Sequence, residues 1–225
     1  MAPLREHLAA GLLRLASWQP GQSLVDPMCG SGTFLIEAAL ATKNIYPGFM
    51  RKNYLFQKMK NYRGEDFKDL LSEMRPVDSK IRGPLFFGFD RDLGAIKAAE
   101  TNAKKAGVAD LIVFRQLDIK NVRRPVDSGM VVINPPYGER LGQVDWLKET
   151  FMNLSSTLKK EFGNWDCWLL SGNEELTPVL RMKAEKKFTI FNGKLECRWL
   201  HYKILPPKIK KDELASSGGQ FESGE

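Results

Sequence analysis

Short apolar segments alternate with segments of helical periodicity along most of this chain. Strand patterns cover residues 23–26, 85–90, 111–116, 130–133 and 166–170. Helical patterns cover residues 4–16, 34–42, 66–75, 92–106, 144–162 and 174–182. Strands that alternate with helices predict a parallel sheet that carries helices on both faces.

The last part of the chain predicts a hairpin. Asn192-Gly193 lies between two further apolar segments, residues 187–191 and 194–204. Asn-Gly is typical of a tight turn in which both central residues have positive φ. We therefore expect one late strand of the sheet to be antiparallel.

A turn that contains two glycines connects the first strand to the next helix. Residues 25–33 read Val-Asp-Pro-Met-Cys-Gly-Ser-Gly-Thr. Glycines let a ligand approach the backbone, and the start of a helix offers unpaired amides. Gly30 and Gly32 do not complete the dinucleotide fingerprint, and the Gly-Lys-Ser/Thr of a P-loop is missing. Because Asp26 would repel a pyrophosphate, the turn favours a cationic ligand such as an amino-acid ammonium; a purely structural turn is the alternative.

Acidic residues also end the second and third strands. Asp90 stands where doubly wound folds meet the ribose hydroxyls of an adenosine ligand. Asp118 is placed to accept a hydrogen bond from an adenine amine. Each residue alone could be an ordinary surface or capping aspartate. Three carboxylates at successive strand ends, with Asp26, together predict a pocket for a cationic amino acid joined to adenosine.

The fourth strand ends in Asn134-Pro135-Pro136-Tyr137. Consecutive prolines stiffen the backbone and lack N–H groups, so their carbonyls are free to accept hydrogen bonds. With the side chain of Asn134 they could hold both protons of a planar amine and direct its lone pair out of the plane. Tyr137 is predicted to stack on an extruded base. A proline-rich structural turn is the alternative.

The net charge of +7 and the pI of about 9.3 favour a polyanionic partner. Residues 43–63 contain no acidic residue and interleave cations with aromatic residues. This segment is interpreted as an insertion that contacts RNA through Arg51, Lys52, Lys58 and Lys60. The alternative is an amphipathic helix whose aromatic residues pack on the body.

Cysteine and histidine are scarce. The three cysteines, Cys29, Cys167 and Cys197, form no CxxC pair, and their odd number argues against a disulfide framework. Two histidines are too few for a histidine-based metal site, so no metal is expected. The sequence has neither a signal peptide nor an apolar run of membrane length, so we expect a cytoplasmic protein without a membrane partner.

These motifs carry a resemblance. Residues 25–33, Asp90, Asp118 and residues 134–137 resemble the class I methyltransferase motifs, and Asn-Pro-Pro-Tyr is similar to that of enzymes acting on planar nitrogens. Residues 2–10, 26–39, 47–49 and 134–141 narrow the resemblance to the THUMP-associated RNA guanine-N2 methyltransferases, especially the bacterial enzymes acting on 23S ribosomal RNA. The similarity covers roughly residues 2–205.

The resemblance implies a Rossmann-like class I methyltransferase fold, in which a seven-stranded, mostly parallel sheet ends in an antiparallel hairpin and carries helices on both faces. The domain would cover residues 1–207, with a family insertion at 43–83 and a disordered polar tail at 208–225. Residues 134–137 would be catalytic. The cofactor would be S-adenosyl-L-methionine, with residues 3–6 near its methionine end. Its site would consist of Pro3, Arg5, Glu6, Asp26, Pro27, Met28, Cys29, Gly30, Gly32, Thr33, Asp90, Arg91, Asp118, Ile119 and Asn134.

The implied substrate is the exocyclic N2 amine of a guanine in RNA, most plausibly large-subunit ribosomal RNA. Family members carry a THUMP module before the catalytic domain, and we expect the parent chain to supply one. Three alternatives stay open at this stage: a protein glutamine N5-methyltransferase, an adenine-N6 nucleic-acid methyltransferase and a non-catalytic RNA-binding domain.

Overall fold

The computed structural model describes residues 4–46, 53–73, 83–137 and 144–206. Seven strands form one sheet in the order β3-β2-β1-β4-β5-β7-β6. They are β1 (Leu24–Asp26), β2 (Phe86–Asp90), β3 (Ile112–Gln116), β4 (Met130–Ile133), β5 (Asp166–Ser171), β6 (Lys186–Asn192) and β7 (Leu195–Lys203). Strands β1 to β5 pair in parallel, whereas β7 is antiparallel to both β5 and β6. The predicted sheet with its C-terminal hairpin is confirmed.

In these described ranges, five α-helices lie beside the sheet or in the insertion: α1 (Glu6–Leu15), α2 (Thr33–Thr42), α3 (Gly64–Glu73), α4 (Leu93–Lys105) and α5 (Val144–Glu161). Apolar residues of α1, α2 and α4, such as Leu12, Phe34 and Ile96, belong to one core cluster. The apolar face of α5, including Leu147 and Phe151, belongs to a second. The parallel strands are therefore covered on both faces, as the near-continuous apolar strand segments require.

Two local predictions were wrong. The hairpin turn is centred on Gly193 and Lys194, because Asn192 pairs with Leu195. Among these turn residues only Gly193 has a positive φ, of 67°. The helix expected over 174–182 is a 3₁₀ turn at Thr177–Leu180. Pro178 explains this difference, because proline in a helix interior lacks the N–H donor and collides with the preceding turn.

Residues 53–73, the middle of the predicted insertion, pack mainly against themselves. A 3₁₀ turn at Leu55–Lys58 precedes α3, and no residue in either element is buried. Four aromatic rings contact one another, with centroids 5.0–6.2 Å apart: Tyr54, Phe56, Tyr62 and Phe67. The rings thus form a small cluster of their own. Arg51 and Lys52, as well as the tail at 208–225, lie outside the described residues.

Within the described ranges, no helix is both long enough and apolar enough to cross a membrane.

Candidate active site

A cleft of about 550 Å³ opens at the carboxyl edge of strands β1 to β4. The ends of parallel strands meet at one edge of a sheet, and ligands bind in the crevice outside them. Strand ends, turns and helix starts from four parts of the chain therefore converge here. The predicted cofactor residues that line the cleft are Asp26, Pro27, Met28, Cys29, Gly30, Thr33, Asp90, Arg91, Asp118, Ile119 and Asn134.

The turn between β1 and α2 is tied to its neighbours by backbone contacts. The amide of Cys29 donates to the carbonyl oxygen of Phe89 on β2 at 2.9 Å. Gly30 and Gly32 have φ values of 52° and 82°, in the left-handed region that favours glycine. Gly30 has no side chain, and no other atom lies within 4 Å of the position that its Cβ would take. The floor of the cleft is therefore unobstructed at this residue.

Gly32 has a packing role that the sequence did not reveal, and it is not among the residues that line the cleft. A Cβ at Gly32 would lie 2.9 Å from Cζ of Phe114. A Cβ at Gly88, on β2, would lie 2.6 Å from Cδ1 of the same ring. The ring of Phe114 on β3 therefore occupies the space that two side chains would need.

Asp26 is buried at the end of β1, with 2% of its surface exposed. Burial raises the pKa of its carboxyl to about 8, the amide of Met28 opposes the rise, and the charge of Asp90 adds to it. The amide of Met28 donates to Oδ1 of Asp26 at 3.1 Å. Burial also raises the pKa of the Cys29 thiol, which argues against a thiolate nucleophile. A cation in the cleft would stabilise the charged form of Asp26.

We expect the buried carboxyl to make stability depend on pH. The pKa of Asp26 is about 8 in the folded protein and about 3.9 in an unfolded chain. The folded state therefore binds more protons between these values, and the free energy of unfolding falls as pH rises from about 4 to 8. Asp26→Asn removes this dependence, so the variant gains stability relative to the parent at the alkaline end.

Urea unfolding of the ligand-free protein and of the Asp26→Asn variant at several pH values measures the effect. A difference between the two proteins that stays constant with pH contradicts the assigned pKa.

Asp90 holds the cleft together from the end of β2. Its Oδ2 accepts a hydrogen bond from the amide of Gly30 at 3.0 Å, and its Oδ1 accepts one from the amide of Asp92 at 2.9 Å. Each carboxylate oxygen has a second lone pair available to a ligand hydroxyl. At the end of β3, Oδ1 of Asp118 accepts from the amide of Lys120 at 3.1 Å. The three predicted carboxylates thus line the same cleft.

The Asn-Pro-Pro-Tyr segment divides between the cleft and the core. Asn134 and Pro136 line the cleft, whereas Pro135 and Tyr137 do not. Tyr137 is 7% exposed, and its hydroxyl donates to Oδ1 of Asn134 at 2.5 Å. The stacking position predicted for Tyr137 therefore differs from the one observed, because its ring fills a space in the core.

Residues after β5 fix the position of Tyr137. A Cβ at Gly172 would lie 2.8 Å from Cγ of the tyrosine ring, so only glycine leaves room for it. The side-chain amide of Asn173 donates to the backbone carbonyl of Tyr137 at 3.1 Å. Tyr137 is thus held from two sides and in turn contacts the side chain of Asn134.

The predicted N-terminal contacts are only partly present. Leu4 lines the cleft, and Pro3 lies outside the described residues. Arg5 and Glu6 are exposed and are not among the lining residues, contrary to prediction. Arg5 is the N-cap of α1, and its carbonyl accepts bonds from the amides of Leu8 and Ala9. These backbone bonds place Arg5 and Glu6 at the start of α1.

One side of the cleft was missed in the sequence. Four residues of α5 line it at helical spacing, namely Trp146, Glu149, Thr150 and Asn153. The guanidinium of Arg91 lies 4.2 Å from the centre of the Trp146 ring, a cation–π contact. The sequence does show a polar side on this helix, opposite the side that supplies core residues. The pattern alone does not show, however, that this polar side borders a ligand cleft. Among the described residues, no group of three or more His, Cys, Asp or Glu could hold a metal ion.

The residues of the cleft fit S-adenosyl-L-methionine. Its three strand-end carboxylates, one of them buried, are hydrogen-bond acceptors that would suit an ammonium, hydroxyls and an amine, and they lie beside a turn without side-chain obstruction at Gly30. A sheet of this strand order with such a cleft defines a class I S-adenosylmethionine-dependent methyltransferase. By its match over residues 1–201, the chain belongs to the family of the RMKL-like methyltransferase domain, UPF0020.

Two curated relatives have one name in common. The chain is 41% identical over 213 residues to a protein of Vibrio campbellii called ribosomal RNA large subunit methyltransferase K/L, covering 90% of this chain and 29% of the relative. A protein of the same name from Photobacterium profundum is 41% identical over 224 residues, covering 96% of this chain and 31% of the relative. The chain therefore spans less than a third of the length of these relatives.

Solved structures share the fold, and one of them contains SAH. A possible methylase from Clostridium difficile 630 superposes with a TM-score of 0.84 at 35% identity, covering 93% of this chain and 55% of that one. SMU.472, described as a methyltransferase and crystallised with SAH, gives a TM-score of 0.78 at 29% identity, with the same coverages. S-adenosyl-L-methionine is accordingly the cofactor of this domain.

Proposed function

We propose that this chain transfers a methyl group to the exocyclic N2 amine of a guanine in RNA, with large-subunit ribosomal RNA as the substrate. One observation carries the proposal. Asn134 and Pro136 line the same cleft as Asp26, Asp90 and Asp118. A segment rich in acceptors for a planar amine thus borders the space that fits the cofactor. The names of the relatives from Vibrio campbellii and Photobacterium profundum support ribosomal RNA.

In this proposal the carboxylates bind the cofactor. Asp26 accepts from the ammonium, Asp90 from the ribose hydroxyls and Asp118 from the adenine amine. Arg91 and Ile119 border the adenosine half of the cleft. The bound cofactor supplies a methyl group on a cationic sulfonium, which is a strong electrophile. The residues of the chain contribute position and electrostatics, which are major sources of rate acceleration in enzymes.

Asn134 holds the target amine, and the backbone carbonyl of Pro135 is proposed as the second acceptor, although Pro135 is buried and is not among the residues that line the cleft. Each accepts one N–H of the guanine N2, which directs the nitrogen lone pair out of the ring plane toward the methyl group. The amine would attack the methyl carbon as a neutral group while the bond from that carbon to sulfur breaks, and it would lose its proton to water afterwards, so no base has to act first. Tyr137 is a positioning residue in this scheme, since its hydroxyl occupies one lone pair of Oδ1 of Asn134 and leaves the other for the amine.

Mass spectrometry of nucleosides tests the target. The purified protein is incubated with S-adenosyl-L-methionine and with 23S ribosomal RNA that lacks the modification. N2-methylguanosine in the digest supports the proposal. N6-methyladenosine, or the absence of any methylated nucleoside, overturns it.

The insertion is proposed as an RNA contact through its basic residues. We expect charge reversal at Lys58 and Lys60 to weaken RNA binding, because both lysines are exposed and would otherwise displace counterions from phosphates. Each lost contact reduces the slope of log K against log salt by about 0.7–0.9. Arg51 and Lys52 are proposed to act in the same way.

Lys68→Glu is the matched control, since Lys68 is exposed on α3 of the same insertion. Equal slopes for the control and the Lys58/Lys60 variant would assign these lysines to general surface charge.

Because the relatives are about three times as long as this chain, a THUMP or other RNA-binding module elsewhere in the parent protein is proposed to add affinity by raising the local RNA concentration.

A further inference from the structure

A second cleft lies at the opposite edge of the sheet from the candidate active site. Its volume is about 990 Å³, and it is bordered by the end of α5, the segment before β6 and the end of β7. Lys203 pairs with Asp166, the first residue of β5, so this cleft opens at the amino edge of the parallel strands. We call it the basic groove, and the residues that line it are Ser156, Lys159, Lys160, Arg181, Met182, Lys183, Ala184, Glu185, Lys203, Ile204, Leu205 and Pro206.

The charge of the basic groove is strongly one-sided. Its lining contains five cations and one carboxylate, that of Glu185. Among the described residues, no carboxylate lies within salt-bridge distance of Arg181, Lys183 or Lys203. The groove is therefore a concentrated cationic surface.

The segment that lines the groove is held in place. Nζ of Lys159 donates to the carbonyls of Leu180 and Arg181 at 3.1 and 3.2 Å. The hydroxyl of Ser155 also donates to the carbonyl of Leu180, at 2.5 Å. At the other end, the amide of Glu185 donates to the carbonyl of His201 at 2.8 Å. The cations at 181 and 183 thus extend from a fixed backbone.

Part of the lining of the groove is apolar. Met182, Ala184, Ile204, Leu205 and Pro206 contribute to it, and the side chain of Leu205 is 75% exposed. A groove lined by both cations and apolar side chains suits a ligand that combines phosphates with flat, weakly polar rings. Nucleic acid has this combination, whereas a free inorganic anion would gain nothing from the apolar residues.

We propose that the basic groove binds the backbone of RNA on the side of the domain remote from the cleft for the cofactor. This inference rests on the proposed function, and it adds that the substrate is contacted at both edges of the sheet. Helix α5 joins the two sites, because Trp146 lines the first cleft and Lys160 lines the groove. Their separation along the helix is roughly 20 Å, which a strand of about six nucleotides spans.

Charge reversal combined with RNA length tests the proposal. One variant carries Lys160→Glu, Lys183→Glu and Lys203→Glu. The control carries Lys97→Glu, Lys104→Glu and Lys105→Glu, three exposed cations of α4 on the other face of the sheet. Each protein is titrated with a single-stranded RNA of about five nucleotides and with a 23S ribosomal RNA transcript, at several salt concentrations.

We expect the groove variant to bind the transcript at least about tenfold more weakly than the control, with a salt slope smaller by about two to three units. The short RNA can bind in the groove alone, so its binding should also be weaker in the groove variant than in the control. Equal losses in the two variants overturn the proposal. If the groove instead binds an acidic protein segment, transcript binding is unchanged and the proposal is also wrong.

Thermal unfolding and affinity for S-adenosylhomocysteine identify a variant that fails to fold. In that case the single substitution Lys183→Glu, in the exposed segment before β6, repeats the test. Failure of the proposed function has a different outcome, since the unmutated chain would then methylate no guanine in any RNA. If the unmutated chain methylates RNA while the groove and control variants bind RNA equally, only the groove proposal is refuted.

Discussion

Replacing Asn134 by alanine is expected to lower the rate of methyl transfer to RNA by about 10²–10³, the usual effect of removing one hydrogen-bonding group aligned with the reacting centre. The affinity for S-adenosylhomocysteine should stay within about twofold, because the side chain acts on the amine and not on the cofactor. Single-turnover kinetics at saturating RNA and calorimetry with S-adenosylhomocysteine measure the two quantities. Turnover within a few-fold of the parent protein would contradict the role of Asn134.

Tyr137→Phe complements this experiment, with a smaller expected effect on the rate. It retains the ring that packs against Gly172 and removes only the hydroxyl that donates to Asn134. If the hydroxyl positions Asn134, kcat falls about three- to tenfold while KM for RNA changes little, in line with the loss of one hydrogen bond. If Tyr137 instead stacks on the base, phenylalanine replaces it without loss. The two roles therefore predict different results for one substitution.

The second large effect is expected for Asp90→Ala. This change removes the proposed partner of the ribose hydroxyls and also the acceptor for the amides of Gly30 and Asp92. Hydrogen bonds to a charged group contribute about 1.5–3 kcal/mol, so affinity for S-adenosylhomocysteine should fall by roughly 10- to 150-fold. Calorimetry measures the change.

Asp110→Ala is the matched control for Asp90. Asp110 is exposed and pairs with Lys43 at 2.6 Å, and it is not among the residues that line the cleft. Its removal should leave affinity for S-adenosylhomocysteine unchanged. Equal affinity in the two variants would mean that the ribose position has been assigned to the wrong strand end.

The sequence predicted those parts of the site that follow from sheet geometry. Asp26, Asp90 and Asp118 end successive strands, and parallel strands bring their ends to one edge whatever the other details. The sheet and its hairpin follow from the same alternation of strands and helices. These predictions depend on periodicity and chain order, which a single sequence contains.

Other parts depend on packing between distant segments. Tyr137 is buried because Gly172, which follows β5, leaves room for its ring, and no pattern near Tyr137 indicates this. Trp146 reaches the cleft because α5 starts beside Arg91, a relation set by the docking of a helix on the sheet. The sequence predicted the hairpin turn at Asn192 and Gly193, one residue before its observed position at Gly193 and Lys194. The pairing of the two strands, and not the Asn-Gly dipeptide, fixes the position of the turn.

The packing of Phe114 has a consequence for how this family can change. One ring occupies the volume that side chains at positions 32 and 88 would need, and these positions belong to a turn and to a neighbouring strand. At position 88 a side chain would also need room from Leu35, whose Cδ1 lies 2.8 Å from the Cβ position, and at position 32 the positive φ disfavours any other residue even without the ring. Position 88 should therefore diverge only together with positions 35 and 114, whereas position 32 should stay glycine, so that the bottom of the cofactor turn keeps its shape.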